Sequence, residues 1–276
     1  MTRLKKTIFK FYGVLVLTLI LIFIFLFFEL SPQDLKFYVF NVGQGDAIFI
    51  RTMSRYNILI DGGADNSVVY KLGQYLPFYD RQIDLMILTH PHSDHIVGLV
   101  EVLKRYQVKK IFTTGVLYSS PDYSAWQKAI AERQIPVEII DKPRALIINN
   151  GSKLEILFPD HNLENKKIKN VNNASIVTKL IYGKIGILLM GDYEDEEKLA
   201  KTSWDLSADI IKIGHHGSTT ANDQEFLAKI KPKIAVISSG LNKFGHPHPD
   251  TISNLESLGV KIFRTDLAGD FCQNLK

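Results

Sequence analysis

Apolar and polar positions follow one another in short runs along most of this chain. LKFYVFNV (35–42), DAIFIRT (46–52) and YNILID (56–61) are separated by Gly, Asn and polar residues, and apolar runs of that length between turn residues predict β-strands. A helical spacing follows over 67–76. Strands and helices then alternate, with DLMILT (84–89) as strand, IVGLVEVLKRY (96–106) as helix, KKIFTT (109–114) as strand and a helix over 123–133. VEII (137–140) and KLEILF (153–158) are further strands. SIVTKLIY (175–182) and KIGILLMG (184–191) predict a hairpin around Gly183, followed by an acidic helix from near Tyr193. The tail alternates DIIKIG (209–214), a helix over 222–230, KIAVIS (233–238), a helix over 250–258 and KIFR (261–264). The two halves echo each other: Asp84 to His90 and Asp209 to His215 both run Asp, four mostly apolar residues, a small residue, then His. Two β-rich halves with helices outside predict sheet packed on sheet, with loops of both halves meeting at one edge.

One run breaks this pattern. Residues 11–28 read FYGVLVLTLILIFIFLFF, 18 residues without a charge. As a helix they reach roughly 27 Å, the thickness of a hydrocarbon core. The exit, FFELSPQ, lacks a small-x-small cleavage pattern, and the run exceeds a signal-peptide core. The expectation is therefore an uncleaved transmembrane anchor over 1–30, with Ser31-Pro32-Gln33-Asp34 as linker and 31–276 as one α/β domain. Arg3, Lys5, Lys6 and Lys10 precede the run, and Glu29 and Asp34 follow it. That asymmetry places the N-terminus in the cytoplasm and the domain outside.

Charge supports the same division. The net charge is +4. Four of the 33 basic residues and one of the 29 acidic ones lie within 1–30, leaving 29 against 28 in the remainder, a net of +1. The basic excess is thus a topology signal and gives little general support for nucleic-acid binding. Lys166-Lys167-Lys169, Lys104-Arg105 and Lys109-Lys110 read as solvated faces. Cys272 is the only cysteine, which excludes an intrachain disulfide and a thiolate zinc site.

Four polar clusters carry the candidate chemistry. In THPHSDH (89–95), His90 and His92 follow a strand and can share one ion, while Asp94 and His95 open a helix and can take another. Asp192 closes the strand ending in Gly191. Alone it would cap the next helix; with a two-metal pattern upstream, a carboxylate bridging both ions is the better reading. Glu194, Asp195, Glu196 and Glu197 favour a helix N-terminus electrostatically. GHHGS (214–218) puts His215 and His216 at another strand end, where neighbouring side chains diverge, so one ligates metal and the other is left for substrate; the internal echo favours His215. In the loop 242–249, Asn242, Lys243 and His246 suit phosphate oxygens, Ser218 joins them, and His246 is a candidate proton donor. Asp61, also at a strand end, either makes an Asx turn or orients a metal-binding histidine. His161 reads as a surface loop residue.

HxHxDH after a strand, Gly-Asp about a hundred residues later and a further strand-end His resemble the metallo-β-lactamase superfamily. FNVGQGDAIFI (40–50), LIDGG (59–63), LTHPHSDHIVGL (88–99), NNAS (172–175), LLMGD (188–192), IKIGHHGS (211–218), FGHPHP (244–249) and FRTD (263–266) are together similar to the hydrolase domain of ComEC competence proteins. The resemblance implies an αβ/βα sandwich with a dinuclear site, two Zn or Mn ions, at one edge. One ion is then held by His90, His92 and Asp192, the other by Asp94, His95, Asp192 and one of His215 and His216. It further implies hydrolysis of a phosphodiester, in DNA or an anionic envelope polymer of teichoic type. An amide or lactone hydrolase and an anchored binding module are the alternative readings. The chain departs from whole ComEC proteins in having one expected membrane helix. It departs from the wider superfamily at 171–175, where a further histidine is usual and Val-Asn-Asn-Ala-Ser stands here; an amide ligand would loosen the His90/His92 ion and let Mn²⁺ compete better with Zn²⁺.

Overall fold

The structure is a computed structural model that describes residues 3–30, 34–149 and 151–275. It divides into two units, one ending at Asp34 and one running from Leu35. Most of the expected linker, 31–33, lies outside the described residues. The first unit is a helix, Arg3–Leu30, on which Leu15, Ile20 and Phe23 are exposed. Among the described residues no helix is long and apolar enough to cross a membrane, so the transmembrane segment expected over 11–28 is not confirmed.

The second unit is the expected sandwich. One seven-stranded sheet runs in the spatial order Phe271–Leu275, Leu35–Val39, Ile48–Arg51, Asn57–Ile60, Leu85–Ile87, Ile111–Thr113, Val137–Ile139. The other runs Lys261–Arg264, Ile234–Ile237, Ile210–Lys212, Ile185–Leu189, Val177–Tyr182, Ser152–Phe158, Arg144–Asn149. The period of two in each strand decides what packs where. Phe37, Val39, Ile48, Ile50, Ile58 and Ile60 point inward and meet Leu154, Ile156, Leu180, Ile187 and Leu189 of the other sheet. Their neighbours Tyr38, Phe49, Leu59 and Met86 face outward under the helices Ser67–Tyr75, Ser93–Arg105 and Pro121–Arg133. On the second sheet Leu188, Ile211, Ala235 and Ile237 likewise pack under Gln224–Ile230 and Pro249–Ser257. With both faces covered, the strands are apolar on both faces, which is why they read as continuous runs.

Within each sheet antiparallel pairing changes to parallel: Asn57–Ile60 pairs parallel with Leu85–Ile87, and Ile185–Leu189 with Ile210–Lys212. The echo in the sequence has a structural counterpart here. Asp84 accepts the backbone N–H of Asn57 at 2.8 Å, and Asp209 accepts that of Gly186 at 3.0 Å. Each repeated aspartate thus pins the start of the strand beside its own, and each strand then delivers a histidine at its far end.

Several expected elements change in extent. The acidic helix begins at Glu196, because Asp195 rather than a residue near Tyr193 caps it by accepting the Lys198 N–H. The strands Arg144–Asn149 and Phe271–Leu275 were not expected. Both are outermost strands: Arg144–Asn149 is the outer arm of a local antiparallel hairpin with Ser152–Phe158, whereas Phe271–Leu275 pairs with the distant strand Leu35–Val39, a tertiary event. Helix Ser93–Arg105 lies on the LIDGG turn so closely that a Cβ on Gly98 would sit 1.8 Å from the Gly62 carbonyl oxygen. The Gly62 N–H donates to the His95 carbonyl and the Gly98 N–H to that of Gly63. Gly98→Ala is therefore expected to lower stability by ~1–3 kcal/mol or more through overpacking. A thermal melt checks this, and an unchanged midpoint would refute the close approach.

Candidate metal centre

The candidate residues follow the C-terminal ends of the parallel strands of both sheets. Asp61 follows Asn57–Ile60, and the loop 88–92 follows Leu85–Ile87. Asp192 follows Ile185–Leu189, and the loop 213–218 follows Ile210–Lys212. Helix Ser93–Arg105 starts directly after His92 and carries Asp94 and His95 in its first turn.

The organising atom is Asp192 Oδ2. It lies 3.3 Å from His95 Nε2, 3.4 Å from His216 Nε2, 3.8 Å from His90 Nε2 and 3.9 Å from His215 Nε2. Asp94 Oδ2 is 3.3 Å from His216 Nε2, and His90 Nε2 is 3.0 Å from His92 Nδ1. Asp94, His95, Asp192 and His216 form a group able to hold one ion. The backs of the rings are also held. His95 Nδ1 is 2.8 Å from Asp61 Oδ2, and His216 Nδ1 is 2.9 Å from the Ser238 carbonyl. Asp61 therefore orients a histidine, and its carboxylate also accepts the Thr89 N–H and hydroxyl.

These donors fit a cation. His95 Nε2, His216 Nε2 and Asp192 Oδ1 are buried without a hydrogen-bond partner, and buried polar atoms are rarely left so. The electrostatics agree. Burial alone would raise the Asp192 carboxyl, but the His216 and His95 charges hold it well below the usual range. Burial would lower His95 and His216, yet the surrounding carboxylates, Asp192 foremost, hold both well above it. The cluster thus gathers positive charge, from protons or from a cation, around its carboxylates.

The turn that separates the two adjacent histidines is in the left-handed region, with φ of 45° at His215 and 54° at His216. Non-glycine residues there cost energy and mark sites that the surroundings over-determine. Asn222 supplies part of that constraint, accepting the Gly214 N–H and donating to the carbonyls of Gly214 and Ser218. The turn sends His216 into the cluster with Asp94 and His95, whereas the echo favoured His215. His215 is partly exposed, with Nδ1 2.8 Å from Glu194 Oε1.

Three residues with evident parts here escaped the sequence reading. Lys212 forms an ion pair with Asp46, both side chains buried, and Asp46 Oδ1 lies 3.4 Å from His216 Nδ1. A lysine inside an apolar strand was the available signal, since a buried cation requires a counter-ion. Glu194, expected only to favour a helix terminus, accepts from Asn170, Asn172 and Thr220 besides facing His215. These contacts, with that of His215 foremost among the hydrogen bonds, outweigh burial and hold its carboxyl down at about 2.

The substrate candidates divide. Asn242 spends its amide on its own loop, donating to the carbonyls of Gly240 and His246 and accepting from Phe244 and His246. This corrects its expected role as a phosphate contact. Ser218 is buried and its hydroxyl bonds to Thr220, so it too braces its turn. Lys243 is exposed, with Nζ 5.6 Å from the Phe244 ring centre. His246 lies against His215, ring centres 5.3 Å apart. Burial and the His215 and His216 charges push its imidazole down to about 4. His161 is on the surface beside Asp160.

A family model described as the metallo-beta-lactamase superfamily matches residues 40–240, and the chain belongs to that superfamily. Within it, the chain is similar to ComEC-type competence proteins. It is 29% identical over 249 residues to ComE operon protein 3 of Bacillus subtilis (strain 168), covering 83% of this chain and 31% of that one. With Recombination protein 2 of Haemophilus influenzae it shares 27% over 251 residues, covering 88% and 29%. The chain therefore spans less than a third of either relative's length. Among solved structures, the metallo-beta-lactamase fold protein YhfI from Bacillus subtilis superposes with a TM-score of 0.56 at 13% identity, covering 87% of this chain and 99% of that one. That likeness concerns the fold alone.

Proposed function

We propose that this chain is a dinuclear metal-dependent phosphodiesterase whose substrate is a nucleic-acid strand, held at a membrane by the helix Arg3–Leu30 with its hydrolytic domain on the outer side. The observation that carries the reading is the single oxygen, Asp192 Oδ2, with four imidazole nitrogens within 3.9 Å. Asp94, His95, Asp192 and His216 would hold one ion, and His90, His92 and Asp192 the other. When bound, the ions supply Lewis acidity toward a phosphoryl oxygen and a water acidic enough to attack near neutral pH. Asp61 and the Ser238 carbonyl fix the rings of His95 and His216, so their Nε2 atoms would meet an ion already oriented. His246, uncharged near neutral pH because its imidazole sits at about 4, is suited to a hydrogen bond with a phosphate oxygen rather than to donating a proton. Lys243 is placed to meet phosphate charge. The names of the competence and recombination relatives favour DNA over an envelope polymer.

The membrane part rests on the uncharged run at 11–28 and the four basic residues before it; protease protection of the domain in intact cells tests it. The purified chain with Mn²⁺ or Zn²⁺ is expected to cleave an aryl phosphodiester and DNA and to leave a chromogenic β-lactam intact. Turnover of the β-lactam alone would overturn the reading. The second ion should also bind more loosely. The segment 171–175 stands where the wider family supplies a histidine, and within it Asn172 Oδ1 is buried without a partner, as a neutral amide ligand would be. Titration of the apo protein is expected to give two unequal zinc steps, with Mn²⁺ competing at the weaker. Two equally tight zinc ions would sink the amide-ligand idea.

A further inference from the structure

A cavity of about 1060 Å³ lies at the far end of the first sheet from the metal centre. Its walls include Asn57, which begins the strand followed by Asp61, and Gln82, which shortly precedes the strand followed by the histidine loop. Asn57 and Asp61 are about 13 Å apart along an extended strand. We propose that this cavity is an anion site that grips the phosphate backbone of a single-stranded nucleic acid, separate from the hydrolytic centre.

Arg55, Arg81, Arg105, Lys109 and Arg133 line the cavity, against Asp80 as the one acidic lining residue. Asp80 is already paired with Arg51 at 2.6 Å. Glu101, on the flanking helix, is shared between Lys104 and Arg105. Asp84, also close by, is spent on the Asn57 N–H and Gln82. Even with Arg55 and Arg105 set aside, Arg81, Lys109 and Arg133 give the cavity a positive excess in a domain whose overall charge is near zero. Five cations from four separate stretches of sequence converge on it, so the excess is a product of the fold, unlike a solvated charge run. Lys104-Arg105 and Lys109-Lys110 gave no such indication as sequence pairs.

The rim adds a second feature. Tyr79 lines the cavity and Phe78 stands beside it, their rings edge to face with centres 5.2 Å apart and Phe78 85% exposed. Cations that track a backbone, beside exposed aromatic faces on which bases stack, are what single strands require. The concavity favours a strand over a bilayer, because a flat lipid surface cannot reach cations set in cavity walls. Nucleic acid is also the proposed substrate, but binding at the cavity needs no ion, so the two ideas are tested apart.

The full chain in a nonionic detergent with EDTA is titrated against a fluorescein-labelled oligothymidine, followed by anisotropy at two salt concentrations. Arg81→Glu with Lys109→Glu is expected to weaken binding at least about tenfold and to reduce the salt slope by about 1.4, the value for two lost phosphate contacts on a single strand. Arg81→Gln with Lys109→Gln should fall between that variant and wild type. Lys142→Glu with Lys261→Glu makes the same change of net charge elsewhere and should shift binding less than about twofold. Thermal melts confirm that each variant is folded. Equal weakening in cavity and control variants would overturn the proposal, as would absence of binding by the wild type. Displacement of the oligonucleotide by micelles carrying phosphatidylglycerol would also overturn it and give the cavity to lipid headgroups.

Discussion

Asp192→Ala is expected to reduce metal-dependent phosphodiester hydrolysis by ~10³-fold or more, with the domain still folded. The reason is geometric: one carboxylate oxygen faces His90, His95, His215 and His216 together, so its removal takes a donor from both proposed ions at once. Metal content measured after purification should fall in step with activity. The fold should survive because Asp192 follows the end of its strand and its side chain makes no hydrogen bond that caps a helix; Asp195 does that. Hydrolysis retained by a folded Asp192→Ala variant would overturn the site assignment.

Lys212→Met carries the second large effect, on stability. Both side chains of the Lys212–Asp46 pair are buried, and removing one partner of such a pair costs about 3–5 kcal/mol because the other charge is left uncompensated. Adding Asp46→Asn should recover most of the loss, and denaturant melts of the two single variants and the double measure the coupling. A pH dependence follows. Burial tends to raise the Asp46 carboxyl, but Lys212, ahead of His216, holds it below its ordinary value of 3.8. In the wild type that contribution is therefore present above the ordinary value and is lost as pH falls through the lowered one. Without Lys212, burial prevails and the carboxyl rises. The variant is then penalised only where Asp46 is ionised, so the gap to wild type should widen as pH increases. A small gap that does not change with pH would show that the pair is not an energetic unit.

Much of the candidate centre was legible because its donor residues come in short local patterns. THPHSDH and GHHGS place histidines at strand ends, and the alternation of strands around them is strong. The sandwich was legible for the same reason, since strands covered on both faces read as long apolar runs. What escaped were consequences of distant pairing. Asp46 and Lys212 are 166 positions apart, and neither residue names its partner. The choice between His215 and His216 turned on two left-handed backbone positions held by Asn222, which spacing cannot register. Strand Phe271–Leu275 lacked a signal of its own because it is defined by the distant strand it joins, Leu35–Val39.

The paired aspartates, Asp84 and Asp209, show that the two halves are built alike, yet neither half holds a complete set of donors. His90, His92, Asp94 and His95 belong to one sheet's loops, and Asp192 and His216 to the other's. An ion bound there would act as a clasp between the sheets. A slip of one residue, about 3.3 Å, would open it. Loading would then hold the sandwich shut, contributing about 2.7 kcal/mol at a free-ion concentration a hundred times the dissociation constant. Scarcity of metal would weaken the molecule's cohesion along with its chemistry.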